Sequence, residues 1–456
     1  MRETETEQSA EAQAMERFDA VLSAIEAKDA ARIDSLLDPL HAADIADLLE
    51  QMAPGERAGL LALWHGGIDG ELLSEIDESI REEVIAALPA DVVAEAVREL
   101  ETDDVVDIIE DLDEPAQGRI LDALEDADRV AVEQALTYPE GSAGRLMQRE
   151  VVVAPEHWSV GEAIDFLRGA ERLPDQFYHV ILVDPRMRPT GYVTLGRILS
   201  ATRQQKLQAI SEESFRTVAV TDEGADVAYI FNQYHLISCP VVDANGRLVG
   251  VITIDDAMTV LDEEHEEDLM LLAGVGEESL IADGPIKTVK SRLPWLVANL
   301  VTASLSALVI NEFQGSIASI VALAALMPIV ASTGGIAGTQ SLAVAVRALA
   351  TRDLTRANAG RVIRREMAAG LMNGMGLALI LAVAGALIFS DWQIGIVLAM
   401  AMVVNQMVAA MGGVLIPLGL ERLGLDPALA SGTFVTTLTD VMGYFAFLGL
   451  ATVVLL

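Results

Sequence analysis

Near the end of the sequence, in SGTFVTTLTDVMGYFAFLGLATVVLL, a single carboxylate, Asp440, stands inside an otherwise uncharged run. At helical spacing Thr433, Thr436, Thr437 and Gly443 share its face. An ionised carboxylate at the centre of a membrane helix costs roughly 2.5–3.5 kcal/mol on insertion scales, so it persists only beside a wet path or a partner. No Lys or Arg lies at that depth, which leaves two readings. Either Asp440 is protonated and serves packing or proton coupling, or it is ionised and its partner is a solute cation. Threonine hydroxyls and a glycine-exposed carbonyl can hold a cation's water shell; they can equally bond their own helix. Hard divalent cations prefer oxygen, and Mg²⁺ in particular keeps its waters and is held by one or two carboxylates. One Asp per chain makes a poor cage, whereas two chains around a two-fold axis would bring two carboxylates to one hydrated ion. A homodimer with its ion path on or near the axis is the expectation.

The elements that position Asp440 are legible as apolar runs. Residues 293–311, 313–346, 367–390 and 392–420 are uncharged, and 427–456 is interrupted only by Asp440. Each reaches the roughly 20 residues a helix needs to cross a bilayer. The run 313–346 is too long for one span and contains PIVASTGGIAGTQ, which is expected to break or unwind its helix. Five spans result. Lys287, Lys290 and Arg292 precede the first, Arg347, Arg352, Arg356, Arg361, Arg364 and Arg365 separate the second from the third, and Arg422 lies between the fourth and fifth. The opposite loops, NEFQGS and SDWQ, carry no cation. The positive-inside pattern places the N-terminal part in the cytoplasm and the C-terminus outside.

From Leu293 onward seven acids balance seven arginines, so the whole net charge of −39 resides in residues 1–292. An acidic soluble part followed by a neutral membrane part argues against nucleic acid and anionic lipid surfaces as its partners and suits cations, or simply solubility. Cys239 is the only cysteine, so no intramolecular disulfide forms. Residues 1–15 lack a signal-like apolar core and are expected to be flexible. Residues 16–140 show apolar positions at three- and four-residue intervals, with an echo in ADIADLLEQM, DVVAEAVREL and DDVVDIIEDL. Short amphipathic helices in series predict an all-α superhelical domain.

From Met147 the period changes to strand–helix–strand–strand–helix, and the unit occurs twice: REVVVAP, VGEAIDFLRGA, FYHVILVD and RPTGYVTLGRIL, then FRTVAVT, GADVAYIFNQYH, ISCPVVD and NGRLVGVITIDDAM. The pair, 147–210 and 214–261, resembles tandem cystathionine-β-synthase (CBS) domains, an α/β regulatory unit that senses nucleotides or ions. In that family a Gly-x-x-Thr/Ser-x-x-Asp element often holds a ribose and phosphate. The second repeat matches it at Gly250, Thr253 and Asp256, while the first has Gly191 and Thr194 but Arg197 in place of the acid. At most one complete site is implied, with ATP as its candidate ligand; otherwise these glycines close turns. Residues 262–292 form an acidic connector, DEEHEEDLMLLAGV and onward, that leads into the membrane domain, 293–456.

This layout, with YPEGSAGRLM before the CBS pair, SRLPWLVANL opening span 1, GGIAGTQ and VRALA at the end of span 2 and DPALASGTFVTTLTDVMGYF at the final acid, resembles the MgtE family of magnesium channels. The resemblance implies a Mg²⁺-gated, homodimeric divalent-cation channel of the bacterial plasma (inner) membrane, not an enzyme, with Asp440 as its selectivity carboxylate. It further implies that cytoplasmic Mg²⁺ binds acids of the helical domain, CBS pair and connector and closes the pore. The matching acids are Asp103, Asp104, Asp107, Asp255, Asp256, Glu263, Glu264, Glu266, Glu267 and Asp268. Gly334, Gly335 and Gln340 would join the pore lining. Ile336 stands where the family usually has Asn in Gly-Gly-Asn-x-Gly-x-Gln; a branched apolar side chain donates no amide contact, so local packing near the ion path is expected to differ. The alternative is a secondary transporter coupled to H⁺ or Na⁺. No Gly-x-x-x-x-Gly-Lys-Ser/Thr loop points to ATP hydrolysis.

Overall fold

The computed structural model describes residues 2–456 apart from 65–66, 111, 171–172, 175–176, 213–214, 276–283, 390 and 430. Residues 276–283 of the connector therefore lie outside the described residues. The chain divides into two compact units, Met1–Asp262 and Glu263–Leu456.

The first unit opens with ten helices: α1 (Arg2–Ala27), α2 (Ala30–Leu37), α3 (Ala42–Gln51), α4 (Pro54–Leu63), α5 (Gly70–Ser74), α6 (Glu78–Ala87), α7 (Ala90–Val97), α8 (Thr102–Glu110), α9 (Glu114–Ala123) and α10 (Asp126–Ala135). Helix α1 begins at Arg2, in a stretch whose Glu, Gln, Ala and Met residues are strong helix formers. Helices two apart pack together, α4 on α6, α5 on α7, α7 on α9 and α8 on α10, which is the superhelical stack expected of the repeat. Its core includes Leu49, Leu60, Leu72, Leu73, Ile108 and Ile109, all essentially inaccessible. Many acids have local work here. Asp29, Asp69, Asp77 and Asp113 each accept a backbone N–H at a helix start, at 2.9–3.1 Å. Two buried arginines mark the repeat. Arg57 donates to Leu49 O and Met52 O and pairs with Glu83 at 3.1 Å; Arg81 donates to Ile76 O and pairs with Asp107 at 2.9 Å.

The same unit contains two small sheets. The first comprises β1 (Val153–Pro155), β2 (His179–Val183) and β3 (Pro189–Thr194), with α11 (Val160–Gly169) and α12 (Leu195–Ser200); the second comprises β4 (Val218–Ala219), β5 (Ser238–Val242) and β6 (Leu248–Thr253), with α13 (Gly224–Tyr234) and the start of α14 (Ile254–Leu272). In each sheet the first pair is parallel and the second antiparallel, with a register shift at the equivalent place, Leu182/Val183 and Val241/Val242. Equivalent first residues of the central strands meet across the repeats, His179 Nδ1 lying 2.5 Å from Ser238 Oγ.

The second unit holds α15 (Pro285–Glu312), short α16 (Gln314–Ser319), α17 (Ala322–Ala350), α18 (Ala359–Phe389), α19 (Trp392–Arg422) and α20 (Ser431–Leu455). Among the described residues five helices are long and apolar enough to cross a membrane, all but α16. The long run 313–346 divides into α16 and α17, but PIVASTGGIAGTQ does not break its helix, and α17 is continuous. Within hydrocarbon an unwound segment would leave backbone groups unpaired. The glycines instead admit neighbours: a Cβ at Gly338 would lie 2.5 Å from Val435 Cγ1, and one at Gly413 2.7 Å from Gly338 O. Helix α19 is the most enclosed and packs on α17, α18 and α20.

Candidate ion site and soluble acid cluster

Helices α17 and α20 border an open cleft of about 480 Å³. Asp440, Thr436 and Tyr444 line it from α20; Gly335, Ile336 and Thr339 line it from α17. The two helices come closest beside the cleft at Gly338, where a Cβ would lie 2.5 Å from Val435 Cγ1; at Gly335 a Cβ would make ordinary contact with Thr436 Cγ2 at 3.9 Å. Of the residues expected to line an ion path, Asp440, Thr436 and Gly335 are brought together here. Thr433 and Thr437 sit elsewhere on α20, where Thr437 Oγ1 donates to Thr433 O at 2.7 Å. Thr436 Oγ1 likewise donates to Gly432 O at 2.8 Å, so its proton is spent on its own helix and the hydroxyl retains only acceptor capacity. Gln340 is exposed and does not line the cleft. Ile336, in place of the amide, presents an apolar side chain to it and is 58% exposed.

Gly334 and Gly443 have a different task. Both face Asn405 of α19, a residue the sequence reading passed over. A Cβ at Gly334 would fall 2.1 Å from Asn405 Nδ2, and one at Gly443 2.8 Å from it. Asn405 and Gln406 are both buried, and they reach α17 through Asn405 Nδ2 to Val330 O at 2.8 Å and Gln406 Nε2 to Thr333 O at 3.2 Å. Two adjacent amides inside the apolar run 392–420 were the signal that would have found them.

In the soluble unit the N-terminus of α8 gathers acids. Thr102 Oγ1 donates to Glu150 Oε1 at 2.8 Å, and Asp103 is buried. Burial, then the charges of Glu150, Asp104, Asp256 and Asp255, push the Glu101 carboxyl up to about 7. Burial raises Asp104 to about 6 and Asp256 to about 7. Asp103 is held well above the carboxylate range by burial and then by Asp256. Asp103, Asp104, Asp255 and Asp256 thus act on one another electrostatically with Glu101, which the sequence reading did not single out. Asp107 is occupied by Arg81. Glu263, Glu264, Glu266 and Glu267 follow along α14, and burial, with the Asp426 charge, raises Asp268. Among the described residues no group of three His, Cys, Asp or Glu has ready-made metal-ligand geometry.

The Gly-x-x-Thr-x-x-Asp element of the second repeat is occupied by the fold. Thr253 N and Oγ1 donate to Asp256 Oδ2 at 3.3 and 2.7 Å, capping α14. Gly250 lets residues 147–148 cross β6, since a Cβ there would lie 2.6 Å from Gln148 O. A polyphosphate beside Asp256 would meet the acid cluster's repulsion.

A membrane domain with a carboxylate-bearing cleft, joined to a CBS pair and an acid-rich helical domain, defines a divalent-cation transporter with a large soluble N-terminal region. Family descriptions agree: Divalent cation transporter over residues 327–450, MgtE intracellular N domain over 40–141, and CBS domain over 143–203 and 209–263. The chain is 33% identical over 340 residues to the Magnesium transporter MgtE of Thermus thermophilus, covering 74% of this chain and 75% of that one. It is 32% identical over 320 residues to that of Enterococcus faecalis, covering 70% of each. A crystal structure of the cytosolic domain of the Mg²⁺ channel MgtE in complex with ATP aligns with 53% of this chain and 99% of its own, at 27% identity and a TM-score of 0.49. The chain belongs to the MgtE family of magnesium transporters.

Proposed function

We propose that the protein is a homodimeric, Mg²⁺-gated channel for Mg²⁺ uptake across the bacterial inner membrane, its soluble region in the cytoplasm and its C-terminus outside. The observation that carries this reading is Asp440, the one carboxylate of α20, lining an open cleft with Gly335 and Thr436. A carboxylate and hydroxyl oxygens on the wall of an open passage suit a hydrated hard cation, and a second copy would double the charge presented to it. The arginine-rich 347–365 segment and the cation-free opposite loops support the orientation.

Regulation follows from like charge. Without cations, Glu101, Asp103, Asp104, Asp255 and Asp256 repel one another or hold protons at an energetic cost. A divalent cation neutralises them and favours the compact arrangement of helical domain and CBS pair. Falling cytoplasmic Mg²⁺ releases that arrangement and opens the pore. ATP at the CBS pair would add a second input only by a contact set other than Gly250, Thr253 and Asp256, which the fold already engages. The test is Mg²⁺ influx into proteoliposomes, native against Asp440→Ala, with Mg²⁺ varied on the soluble-domain side. The native chain should carry a flux that millimolar Mg²⁺ on that side suppresses, and Asp440→Ala should carry none. A flux that needs an H⁺ or Na⁺ gradient would replace this reading with a coupled carrier.

A further inference from the structure

Asn405 is the polar group of the membrane unit whose chemistry is least explained by folding alone. It is 0% exposed, its Nδ2 donates to Val330 O, and its Oδ1 has no hydrogen-bond partner among the described residues. A buried unpaired acceptor is costly, and leucine at this position would fill the space without that cost. The cost is tolerated at a position where three helices meet. The Asn405 amide occupies the room that Gly334 of α17 and Gly443 of α20 leave open. Each glycine adjoins the cleft: Gly335 follows Gly334, and Asp440 lies one turn before Gly443.

We propose that Asn405 is a positioning and specificity-determining residue for ion passage: wedged between Gly334 and Gly443 and tied to Val330 O, it fixes the separation of α17 and α20 at Asp440. This rests on the reading of Asp440 as the ion-path carboxylate. A site that discriminates between divalent cations of different size and hydration needs its oxygen groups held at one spacing. On α20 the amide lies against Gly443, one turn from Asp440, so it acts through helix position. Removing the amide would let α20 shift while leaving every group of the cleft chemically intact.

The experiment measures Mg²⁺ influx into proteoliposomes, alone and against equal Ca²⁺, for the native chain, Asn405→Ala, Gly443→Ala and the double variant. Asn405→Ala should lower the preference for Mg²⁺ about threefold to tenfold, the range set by hydrogen-bond couplings between membrane helices. Gly443→Ala, whose methyl would meet the amide at 2.8 Å, should do likewise. In the double variant the methyl enters the space the amide vacates, and the preference should partly return, a rescue that two independent packing defects would not give. Unchanged preference in Asn405→Ala, or losses that simply add in the double variant, overturns the inference while the Asp440-dependent flux stands. Flux that persists in Asp440→Ala overturns both. Should Asn405→Ala fail to fold, Gly443→Ala against the double variant decides.

Discussion

Protons and Mg²⁺ should compete for the acids at the N-terminus of α8. Burial is the first cause of every raised carboxyl there, with neighbouring carboxylates adding to it, so ionising the cluster without a counter-ion is unfavourable. For Asp104 the rise from 3.8 to about 6 corresponds to about 3 kcal/mol. A cation that neutralises it recovers at most that much, about a hundredfold in affinity. Folded-state carboxyls that titrate above their unfolded values make the folded chain hold more protons than the unfolded one. Stability without Mg²⁺ therefore falls as pH rises from about 4, where the unfolded acids ionise, to about 7, where Glu101 and Asp256 do. Through that window Glu101, Asp104 and Asp256 lose their share, Asp103 remains raised, and saturating Mg²⁺ should flatten the dependence. Calorimetric titration of the full-length protein with Mg²⁺ at pH 6, in two buffers of different ionisation enthalpy, counts the protons displaced. At least one proton per cluster should be released at pH 6 and fewer at pH 8. Heats independent of buffer at pH 6 would refute the argument, because they would mean the cluster is already ionised and its burial ineffective.

Two further outcomes are expected. Arg57→Ala strands Leu49 O and Met52 O, while the half-exposed Glu83 carboxylate stays in water, and should destabilise the helical domain by about 1–3 kcal/mol, read as a lowered thermal midpoint of the soluble region; an unchanged midpoint would show these carbonyls find other donors. Thr436→Val removes an oxygen from the cleft but only an intrahelical bond from the fold, so flux should drop severalfold while the protein remains monodisperse, and Thr436→Ser should restore it; equal flux in all three would remove Thr436 from the ion path.

What the sequence disclosed, and what it withheld, divides by physical cause. The five spans, the doubled strand–helix unit and the lone acid of α20 were legible because hydropathy, period and charge are properties of the chain taken locally. The glycines of α17 were misread for the same reason. A Gly-rich stretch weakens a helix in water, where propensity is measured, but in α17 Gly334 and Gly338 are the places where Asn405 and Val435 enter, and tertiary packing outweighs propensity. The pairing of Asp107 with Arg81, 26 residues away, and the approach of Glu150, Asp255 and Asp256 to Glu101, which the sequence did not single out, appear only in the folded chain. Both concern partners remote in sequence, which composition cannot supply. The same logic explains why Asn405 was missed. Its amide looks redundant on α19 alone and becomes meaningful only when Val330, Gly334 and Gly443, from two other helices, close around it.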